Sequence, residues 1–448
     1  MRHISDWGNY PVIEAEVNGF DTAERLRAHL RRPGKVISYG NGRSYGDASL
    51  QKRILLTRRF NKFISFDETT GELRCQAGVL LSEILDVFLP RGWFLPVTPG
   101  TKLITVGGAV AADVHGKNHH REGSFGRHVV SMDVMRADGS IITCSPSRHT
   151  DFFHLTVGGM GLTGVILNVT LRLRRVDTAY IREEIVRAAN LDEIMDLFEA
   201  SDDWTYSVAW IDCLARGEGM GRSILMRGEH AVRDELARPA HRRSPLQPKP
   251  KRRLDVPFFF PSFVLNRWTM RAFNELYYRL HRAEPHTRIT DYNTFFYPLD
   301  AIENWNRIYG KRGFTQYQFV LPRAAGREGV RAILERIARS GLGSFLAVLK
   351  LFGDRSSGGI ISFPMEGYTL ALDFPISTAS LRLFRELDAM VADYGGRLYL
   401  AKDSRMDAEM FARTYPRADD FRQAVAALNE GNPARFASLL SRRIGITD

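Results

Sequence analysis

Residues 107–120 read GGAVAADVHGKNHH, a run of small residues that ends in three histidines and a lysine. His115, His119 and His120 raise the question of a metal site, whereas the glycines indicate a backbone that another group approaches closely. A metal site is disfavoured because His115 and His119 share a face only within a helix, and Gly116 lies inside the supposed turn. No acidic partner follows at the position that a helical zinc motif requires. The stretch therefore predicts no metal site, and in the alternative His119 and His120 hydrogen-bond a loop.

This run belongs to the second of three glycine-rich stretches, which are SYGNGRSYGDA at 38–48, PGTKLITVGGAVAADVHGKNHHREGSFG at 99–126 and GGMGLTGVI at 158–166. The third contains G-x-G-x-x-G at Gly159, Gly161 and Gly164, but a strand follows these glycines where a Rossmann fingerprint needs a helix. Tight turns would explain any one of the three runs, because glycine accepts positive φ. Three runs in one half of the chain, two with Arg, Lys or His beside the glycines, instead favour backbone N–H groups that cradle a pyrophosphate without a helix dipole.

Length and composition predict a globular protein of two domains. The chain has 448 residues, of which 44% are hydrophobic and 25% charged, and one core rarely grows this large. No apolar run is long enough for a transmembrane helix, and the N-terminus lacks the apolar core of a signal peptide. Cys75, Cys144 and Cys213 are too few and too far apart for a disulfide framework or a zinc site. We expect reduced thiols in a cytoplasmic protein.

The charge of the chain predicts an anionic partner. The net charge is +11 and the isoelectric point is about 9.6, so nucleic acid, an acidic membrane surface and a phosphorylated substrate are all candidates. Nucleic acid is disfavoured because the sequence has no nucleic-acid-binding motif and its basic residues are scattered, except around 238–253.

The order of strand-like and helix-like segments predicts an α+β fold. Residues 1–178 combine short β-branched strands with an amphipathic helix at 81–92. Residues 179–396 carry longer helices and aromatic strands such as FTQYQFVLP and YTLALDFPI. Within them, the basic and proline-rich stretch inside 238–268 is predicted as a long surface loop. Residues 397–448 are too short for a core of their own, so we expect this C-terminal segment to return to the first domain.

Together these motifs carry a resemblance. G-N-G-R-S-Y-G-D, then P-G-T…T-V-G-G-A-x-A…H-G-K-N-H-H…G-S-F-G, then G-G-M-G-L-T-G-V-I resemble the FAD-binding half of the vanillyl-alcohol-oxidase flavoprotein superfamily. With L-K-L-F-G at 349–353, L-D-F-P-I at 372–376 and G-G-R-L-Y-L-A-K-D-S-R at 395–405, the chain more closely resembles the decaprenylphosphoryl-β-D-ribose 2′-oxidases. The resemblance implies an FAD-binding domain at 1–178 and a substrate or cap domain at 179–396, built on an antiparallel sheet with helices.

The resemblance implies that FAD lies along the three glycine-rich stretches. Many members of the superfamily attach FAD through a histidine in the first stretch, and residues 38–48 contain none, so we expect noncovalent FAD. His115, Gly116 and Lys117 would line the site beside the isoalloxazine ring, and Tyr399 would border the cofactor. The implied cofactor-binding residues are Gly40, Asn41, Gly42, Arg43, Ser44, Tyr45, Gly46, Asp47, Gly100, Thr101, Thr105, Val106, Gly107, Gly108, Ala112, His115, Gly116, Lys117, Asn118, Gly159, Gly161, Gly164, Ile166 and Tyr399.

The implied reaction oxidises the 2′-hydroxyl of a polyprenyl-phosphoryl ribose to a ketone, and a partner keto-reductase completes the epimerisation to arabinose. Lys402, His115 and Lys117 are the implied catalytic residues. For Lys402 the alternative is an exposed lysine paired with Asp403. The other implied substrate contacts are Tyr297, Gln318, Lys350, Thr369 and Asp373, with a satisfied core carboxylate as the alternative for Asp373. An FAD enzyme of the same fold that acts on a free sugar, alditol or aldonolactone is the competing function.

A polyprenyl phosphate keeps its tail in the bilayer, so the implied enzyme must meet the membrane. The loop at 238–268 combines seven basic residues with aromatic ones, which is typical of a contact with an anionic surface. We expect a mobile loop that docks on the cytoplasmic leaflet and opens over the sugar site, while a solvated linker is the alternative. Its residues are Arg238, Arg242, Arg243, Lys249, Lys251, Arg252, Arg253, Phe258, Phe259, Phe260, Phe263 and Trp268.

Overall fold

Short strands and helices alternate along the chain in a computed structural model that describes residues 1–248, 254–261 and 263–448. The strands are β1 (Arg2–Ile4), β2 (Ile13–Gly19), β3 (Gly34–Tyr39), β4 (Arg53–Leu56), β5 (Phe63–Asp67), β6 (Glu72–Gln76), β7 (Trp93–Phe94), β8 (Val129–Met135), β9 (Ile141–Cys144), β10 (Val165–Arg172), β11 (Arg174–Arg175), β12 (Tyr180–Ala188), β13 (Tyr206–Ile211), β14 (Ser223–His230), β15 (Leu254–Asp255), β16 (His286–Asp291), β17 (Ile302–Glu303), β18 (Phe314–Pro322), β19 (Ala347–Phe352), β20 (Gly367–Pro375), β21 (Arg397–Leu398) and β22 (Ala434–Phe436). The helices are α1 (Ala23–Leu30), α2 (Leu81–Phe88), α3 (Val106–Ala111), α4 (His119–Glu122), α5 (Thr150–Thr156), α6 (Leu191–Glu199), α7 (Pro239–Arg243), α8 (Arg267–Leu280), α9 (Tyr292–Phe296), α10 (Arg323–Ser340), α11 (Thr378–Asp393), α12 (Ala408–Thr414), α13 (Ala418–Asn429) and α14 (Leu439–Arg443).

Two five-stranded sheets form the first part of the molecule. One has the order β1-β2-β4-β3-β22, in which only the β1–β2 pair is antiparallel. The other is antiparallel throughout, with the order β5-β6-β10-β8-β9. Because β22 lies near the C-terminus and pairs with β3, the chain's end is held on the N-terminal sheet.

An eight-stranded antiparallel sheet organises the second part, with the order β16-β12-β14-β13-β19-β20-β18-β21. Strands β18 and β20 alternate apolar and polar residues, so that one face is apolar and the other carries polar side chains. Helices α10 and α11 pack on β18 and β20, and the large core beneath them includes Phe319, Leu370, Leu372 and Phe384. The fold is of the α+β class, as the sequence predicted.

The stretch at 238–263 differs from the long loop that the sequence predicted. Its described parts contain helix α7, which Pro239 begins at a position where its missing N–H is not needed, and strand β15, which pairs with β17. Lys249, Lys251, Arg252 and Arg253 of the basic cluster lie outside the described residues. Among the helices within the described ranges, none is long and apolar enough to cross a bilayer.

Candidate active site

One face of the eight-stranded sheet carries a group of polar side chains on its central strands. In β20 the sequence TLALDF alternates, so Thr369 and Asp373 point away from the apolar residues between them. The registers set Lys350 opposite Thr369 and Gln316 opposite Asp373, and residues directly opposite each other share a face. Gln318 lies two residues from Gln316 on this face and donates to Thr369 Oγ1 at 3.3 Å. The structure thus brings four predicted substrate contacts, Gln318, Lys350, Thr369 and Asp373, onto one surface.

Asp373 is a buried carboxylate that belongs to this polar surface. Gln316 Nε2 donates to it at 2.7 Å, and the Tyr309 hydroxyl donates at 3.5 Å. Burial raises the pKa of Asp373 to about 7, although Gln316 and the nearby Lys402 oppose that rise. The sequence analysis missed Gln316 and Tyr309. The alternation in TQYQF would have placed Gln316 beside Gln318, whereas no local pattern marks Tyr309.

Lys402 lies inside the protein with its Nζ 3.8 Å from the centroid of the Tyr45 ring. Burial lowers the pKa of Lys402 to about 7, and Asp373 opposes this shift by favouring the charged amine. Asp403 is paired instead with Arg443, at 2.7 Å. The alternative of an exposed Lys402 paired with Asp403 is therefore wrong. A buried amine that titrates near neutral pH is suited to hold or release a proton.

His115 reaches the same surface from the stretch 107–120. Its Nε2 lies 3.1 Å from Gln318 Nε2, and its ring packs against Phe352 and Tyr399 with centroids 4.7 and 5.5 Å away. Burial, with Lys350 next in importance, holds the pKa of His115 well below its ordinary value, so the ring is neutral. Its Nδ1 has no hydrogen-bond partner within the described residues.

Lys350 joins three other groups electrostatically. Burial is the main cause that lowers the pKa values of His115, Lys117 and Lys402, and the charge of Lys350 lowers each of them further, so all three lie within its electrostatic reach. Burial lowers the pKa of Lys350 to about 8 and that of Lys117 to about 7. The Lys117 Nζ donates to the carbonyl of Phe295 and lies 4.1 Å from the centroid of the Phe295 ring. The site therefore concentrates three buried amines, a strong field for an anionic ligand.

Tyr297 is more enclosed than a simple sugar contact would be. Its hydroxyl lies 2.6 Å from Thr98 Oγ1, and burial raises its pKa well above the ordinary value. A Cβ added to Gly116 would lie 2.7 Å from the Thr98 carbonyl oxygen. Tyr297 is thus joined through Thr98 to the turn that carries His115, rather than to the sheet face.

The first glycine-rich stretch is an open loop after β3. Within the described residues, the backbone N–H groups of Asn41, Gly42, Arg43 and Ser44 have no acceptor in the protein. Gly42 has a φ of +60°, and successive free N–H groups in such a loop form a concave site for an anion. The buried Arg43 Nε also has no partner there, and the Arg43 guanidinium lies 4.0 Å from the Trp7 ring centroid. The Asn41 side chain donates to the Leu103 carbonyl at 2.7 Å, and this bond anchors the loop there.

The same loop is clamped on the C-terminal segment. Tyr45 N donates to the carbonyl of Ala401 at 3.1 Å, and a Cβ on Gly46 would lie 1.8 Å from the carbonyl oxygen of Asp403. Arg443 bridges Asp47 and Asp403 at 2.7 Å each. The Asp47 carboxylate is thus used to fix the loop, which places Tyr45 beneath Lys402. Arg443 could not be predicted from the sequence because its partners are far away in the chain.

The second stretch contains a helix that the sequence analysis did not predict. Helix α3 begins after Thr105, whose Oγ1 accepts from Gly108 N, and Gly107 N donates to the Ala77 carbonyl. A Cβ on Gly107 would lie 2.9 Å from the Ala77 side chain, and one on Gly40 would lie 2.5 Å from Thr105 Oγ1. These glycines serve close packing, so the free N–H groups lie in the first stretch and not here. Val106, the first residue of α3, is fully buried.

The remaining residues of the second stretch divide into open and anchored positions. A Cβ on Gly100 would meet no atom within 4 Å, so this backbone is accessible. Thr101 Oγ1 accepts from Leu103 N at 3.2 Å. Asn118 donates to the Pro96 carbonyl at 2.8 Å, and the Tyr399 hydroxyl donates to the Ala112 carbonyl at 2.9 Å.

The third glycine-rich stretch packs against the C-terminal end of α3. Met160 N donates to the Ala111 carbonyl at 2.9 Å. A Cβ on Gly159 would lie 2.2 Å from the Leu155 carbonyl oxygen, and one on Gly164 would lie 2.6 Å from that of Met135. At Gly161, which has a φ of +75°, an added Cβ would make an ordinary contact, 3.7 Å from Ile37 Cδ1. Ile166 is buried in β10, the strand that the sequence placed after these glycines.

The three histidines of the opening stretch point to different partners. His115 forms an isolated bridge with Ser124, and α4 begins only at His119, so the two share no helical face. His120 Nε2 lies 2.8 Å from the Trp204 carbonyl oxygen, as the loop alternative predicted. The His119 ring packs on Phe352 with centroids 4.3 Å apart, and neither of its nitrogens has a partner within the described ranges.

Asp113 fixes this stretch to the connection between β19 and β20. Its buried carboxylate accepts from Ser124 Oγ and Gly126 N at 2.8 Å, from Ser357 Oγ at 2.6 Å, and from Ser362 Oγ. It was not predicted from the sequence, because its four donors come from two segments that are far apart in the chain.

We predict that Asp113→Ala lowers the free energy of unfolding by roughly 3 kcal/mol or more, since four buried donors lose one acceptor. Denaturant unfolding measures the change. Asp354→Ala is the matched control, because the Asp354 side chain is 80% exposed in the same connection, and we expect a change within about 0.5 kcal/mol. Equal changes in the free energy of unfolding would show that the buried hydrogen bonds of Asp113 add no stability beyond that of an exposed aspartate.

The residues present fit FAD. Four free N–H groups and the buried Arg43 Nε provide donors for a pyrophosphate, and the open backbone at Gly100 leaves room. The polar sheet face and the buried amines lie where His115 meets Gln318, at the other end of the same stretches. The loop thus offers donors for a pyrophosphate, and the sheet face offers polar and charged side chains to a second ligand.

Comparisons with known proteins agree with this geometry. Residues 21–145 match the FAD binding domain family. The chain is 37% identical to the decaprenylphosphoryl-β-D-ribose oxidase of Mycolicibacterium smegmatis, over 99% of this chain and 97% of that protein. It is 36% identical to an uncharacterised protein of Streptomyces coelicolor over 82% of this chain and 100% of that protein. A putative D-arabinono-1,4-lactone oxidase of Neurospora crassa is 31% identical over only 33% of this chain and 26% of its own length. The chain therefore belongs to the decaprenylphosphoryl-β-D-ribose oxidase family of FAD-dependent oxidoreductases.

Proposed function

We propose that the protein oxidises the 2′-hydroxyl of a polyprenyl-phosphoryl-β-D-ribose to the 2′-ketone, as the first half of an epimerisation to the arabinose donor. A keto-reductase would act on the product. The similarity to the Mycolicibacterium relative spans both the cofactor cradle and the substrate surface. The similarity to the lactone oxidase covers a third of the chain, so it supports a shared cofactor domain more than a shared substrate.

The observation that carries the proposal is the meeting of three buried amines with a neutral, hydrogen-bonding surface. Lys117, Lys350 and Lys402 favour a substrate that carries a phosphate, which a free sugar or alditol lacks. Gln318 and Thr369 offer amide and hydroxyl groups that suit sugar hydroxyls. Such a division between charge and neutral donors fits a sugar phosphodiester.

Bound FAD supplies the acceptor for the hydride that leaves the sugar carbon. In the proposed site Lys402 takes up the proton of the substrate hydroxyl or stabilises negative charge beside it, and Asp373 holds the amine in place. His115 and Gln318 orient the sugar, and the positive charges of Lys117 and Lys350 attract the anionic substrate, with Thr369 beside them and Tyr297 behind the turn that carries His115. The same chain segments exclude water, since these side chains are buried or half-buried.

The proposal is tested by mixing the yellow protein anaerobically with substrate and recording the flavin absorbance. Polyprenyl-phosphoryl ribose is expected to bleach the flavin within one turnover, whereas free ribose, alditols and aldonolactones are not. Bleaching by the free sugars at equal rate would favour the competing function.

We propose that FAD is bound without a covalent bond, because residues 38–48 contain no histidine. Acid precipitation should release all of the flavin into the supernatant, where its absorbance is measured. Yellow colour that stays with the washed protein pellet would contradict this prediction.

The proposed location is peripheral, on the inner face of the membrane. The polyprenyl substrate requires it, and the basic residues between 238 and 253 are suited to an anionic surface, to which each contributes roughly 1 kcal/mol. Arg238, Arg242 and Arg243 of this cluster lie at α7.

A further inference from the structure

Helix α8 is apolar on the side that faces away from the protein. Its inner side is anchored by Asn274, which donates to Asp212 at 2.7 Å, and by Met270, which is buried. Its outer side exposes 66% of Trp268, 59% of Leu276 and 72% of Leu280. These three residues are spaced four and eight apart, which aligns them along one stripe of a helix.

Exposed apolar residues are concentrated around this helix. Eight of the fifteen large hydrophobic side chains that are exposed among the described residues lie between 254 and 280. Phe263 lies just before the helix, where its carbonyl accepts from the Asn266 side chain, and Phe273 lies on α8 itself. Scattered exposed apolar residues are ordinary, but a contiguous set marks an interaction surface.

The charges that flank the stripe are mostly positive. Arg267 and Arg279 are exposed on α8, and Arg282 follows it. The one acidic residue of the helix, Glu275, pairs with Arg222 at 2.7 Å and with Arg279 at 2.5 Å, so Arg267 and Arg282 are the charges that border the stripe without this partner. An apolar stripe bordered by arginines complements an anionic lipid surface, into which such helices sink by their apolar side.

A cavity of about 180 Å³ lies directly beneath the start of α8. Leu265 and Met270 line it on the helix side, and Leu342 and Ile376 line it on the side of the core. An apolar cavity of about 150 Å³ holds a benzene molecule, so this one is large enough for a five-carbon isoprene unit. Of the described residues that line it, only Arg312 is charged. Arg312 is exposed, and it makes no hydrogen bond or ion pair within the described part of the chain.

The cavity and the candidate active site share a wall. Tyr309 lines the cavity and donates its hydroxyl to Asp373. Its ring stacks on Phe314 at 4.2 Å, and Phe314 contacts the Tyr45 ring that lies under Lys402. A chain in the cavity would thus end one aromatic layer from the site.

We propose that the outer face of α8, with Phe258 and Phe263, rests in the interfacial layer of an anionic membrane, and that the cavity beneath it takes the first isoprene unit of a polyprenyl phosphate. Arg312 meets the phosphate at the cavity's edge. This inference rests on the proposed function, since it supplies the route by which a lipid-linked sugar reaches the polar face. It is carried by described residues alone and needs no part of the basic cluster at 249–253.

The membrane contact is tested with the FAD-loaded protein and vesicles of phosphatidylglycerol and phosphatidylcholine. The double variant Leu276→Glu/Leu280→Glu is expected to lower the vesicle-bound fraction about tenfold, because two buried apolar contacts become charges near anionic lipid. Val12→Glu is the matched control, since Val12 is 51% exposed elsewhere on the surface, and it should bind as the unchanged protein does. Vesicles should also shift the emission of Trp268 to the blue, a change that Trp268→Phe removes. Unaltered binding of the double variant would overturn the role of α8.

The cavity is tested by calorimetric titration with farnesyl phosphate, which requires no turnover. Leu342→Phe fills the cavity and is expected to weaken binding at least tenfold, while Leu428→Phe, at a half-buried leucine of α13, should not. Arg312→Gln should weaken farnesyl phosphate binding and leave binding of farnesol unchanged. Equal binding by Leu342→Phe and Leu428→Phe, at equal melting temperatures, would overturn the cavity assignment. If farnesyl phosphate binds as expected but lipid-linked ribose fails to bleach the flavin, the proposed function fails while the lipid site stands.

Discussion

Lys402→Ala is expected to keep its FAD and to lose at least about a hundredfold in the rate of flavin reduction by substrate. Removing a positioned charge from a site that excludes water typically has an effect of this order. The Lys402 Nζ lies over the Tyr45 ring. Among the described residues, Lys402 is the amine whose charge lowers the pKa of Asp373. The loss should therefore fall on the chemical step and not on cofactor binding.

Stopped-flow single turnovers under anaerobic conditions measure this rate. Lys311→Ala is the matched control, because Lys311 is exposed, and it should reduce flavin at the normal rate. The variant should also show a higher pKa for Asp373, since Lys402 lowers that pKa in the unchanged protein. Near-normal flavin reduction in Lys402→Ala would show that another group takes the proton.

The sheet and its polar face could be predicted from local alternation. FTQYQFVLP and YTLALDFPI each repeat with the period of a strand, and the structure forms β18 and β20 there. Alternation also separates Asp373 from its apolar neighbours. Alternation does not predict the register that sets Lys350 beside Thr369, because register depends on contacts between distant segments.

Helix α3 shows why local propensity fails in the glycine-rich stretch. Gly107 and Gly108 each disfavour a helix by about 1 kcal/mol, so the sequence favours a loop. The Thr105 side chain caps the helix, and the absence of a Cβ on Gly107 lets α3 pack on Ala77. Tertiary packing therefore outweighs propensity, and the same glycines that argue against a helix are the ones that its packing requires.

Long-range contacts account for the other residues that the sequence analysis missed. Arg443 joins Asp47 and Asp403 across most of the chain, and Asp113 gathers donors from distant loops. Neither set has a spacing that a one-dimensional pattern displays. Helix α8 was missed for a different reason: its first turn, with Trp268, was assigned to the loop at 238–268, although WTMRAFNELYYRL contains an amphipathic period.

Gly46→Ala is expected to lower the free energy of unfolding by roughly 3 kcal/mol and to weaken FAD binding. The added Cβ would lie 1.8 Å from the carbonyl oxygen of Asp403 and 2.6 Å from its carbon, and a backbone contact cannot be relieved by turning a side chain. Either the loop at 38–48 or the segment that carries Lys402 must move. Since the free N–H groups of residues 41–44 belong to that loop, the movement also disturbs the cofactor cradle.

Denaturant unfolding and titration of the apoprotein with FAD measure the two effects. Gly219→Ala is the control, because a Cβ there meets nothing within 4 Å and the position is remote from the site; both quantities should stay unchanged in it. A loss of stability without a loss of FAD affinity would mean that the Lys402 segment yields and the cradle holds. Unchanged stability in Gly46→Ala would contradict the clamp itself, because the chain could then accept a methyl group where the structure leaves no space. The clamp thus makes one glycine responsible both for the shape of the loop at 38–48 and for the placement of Lys402, the proposed catalytic lysine.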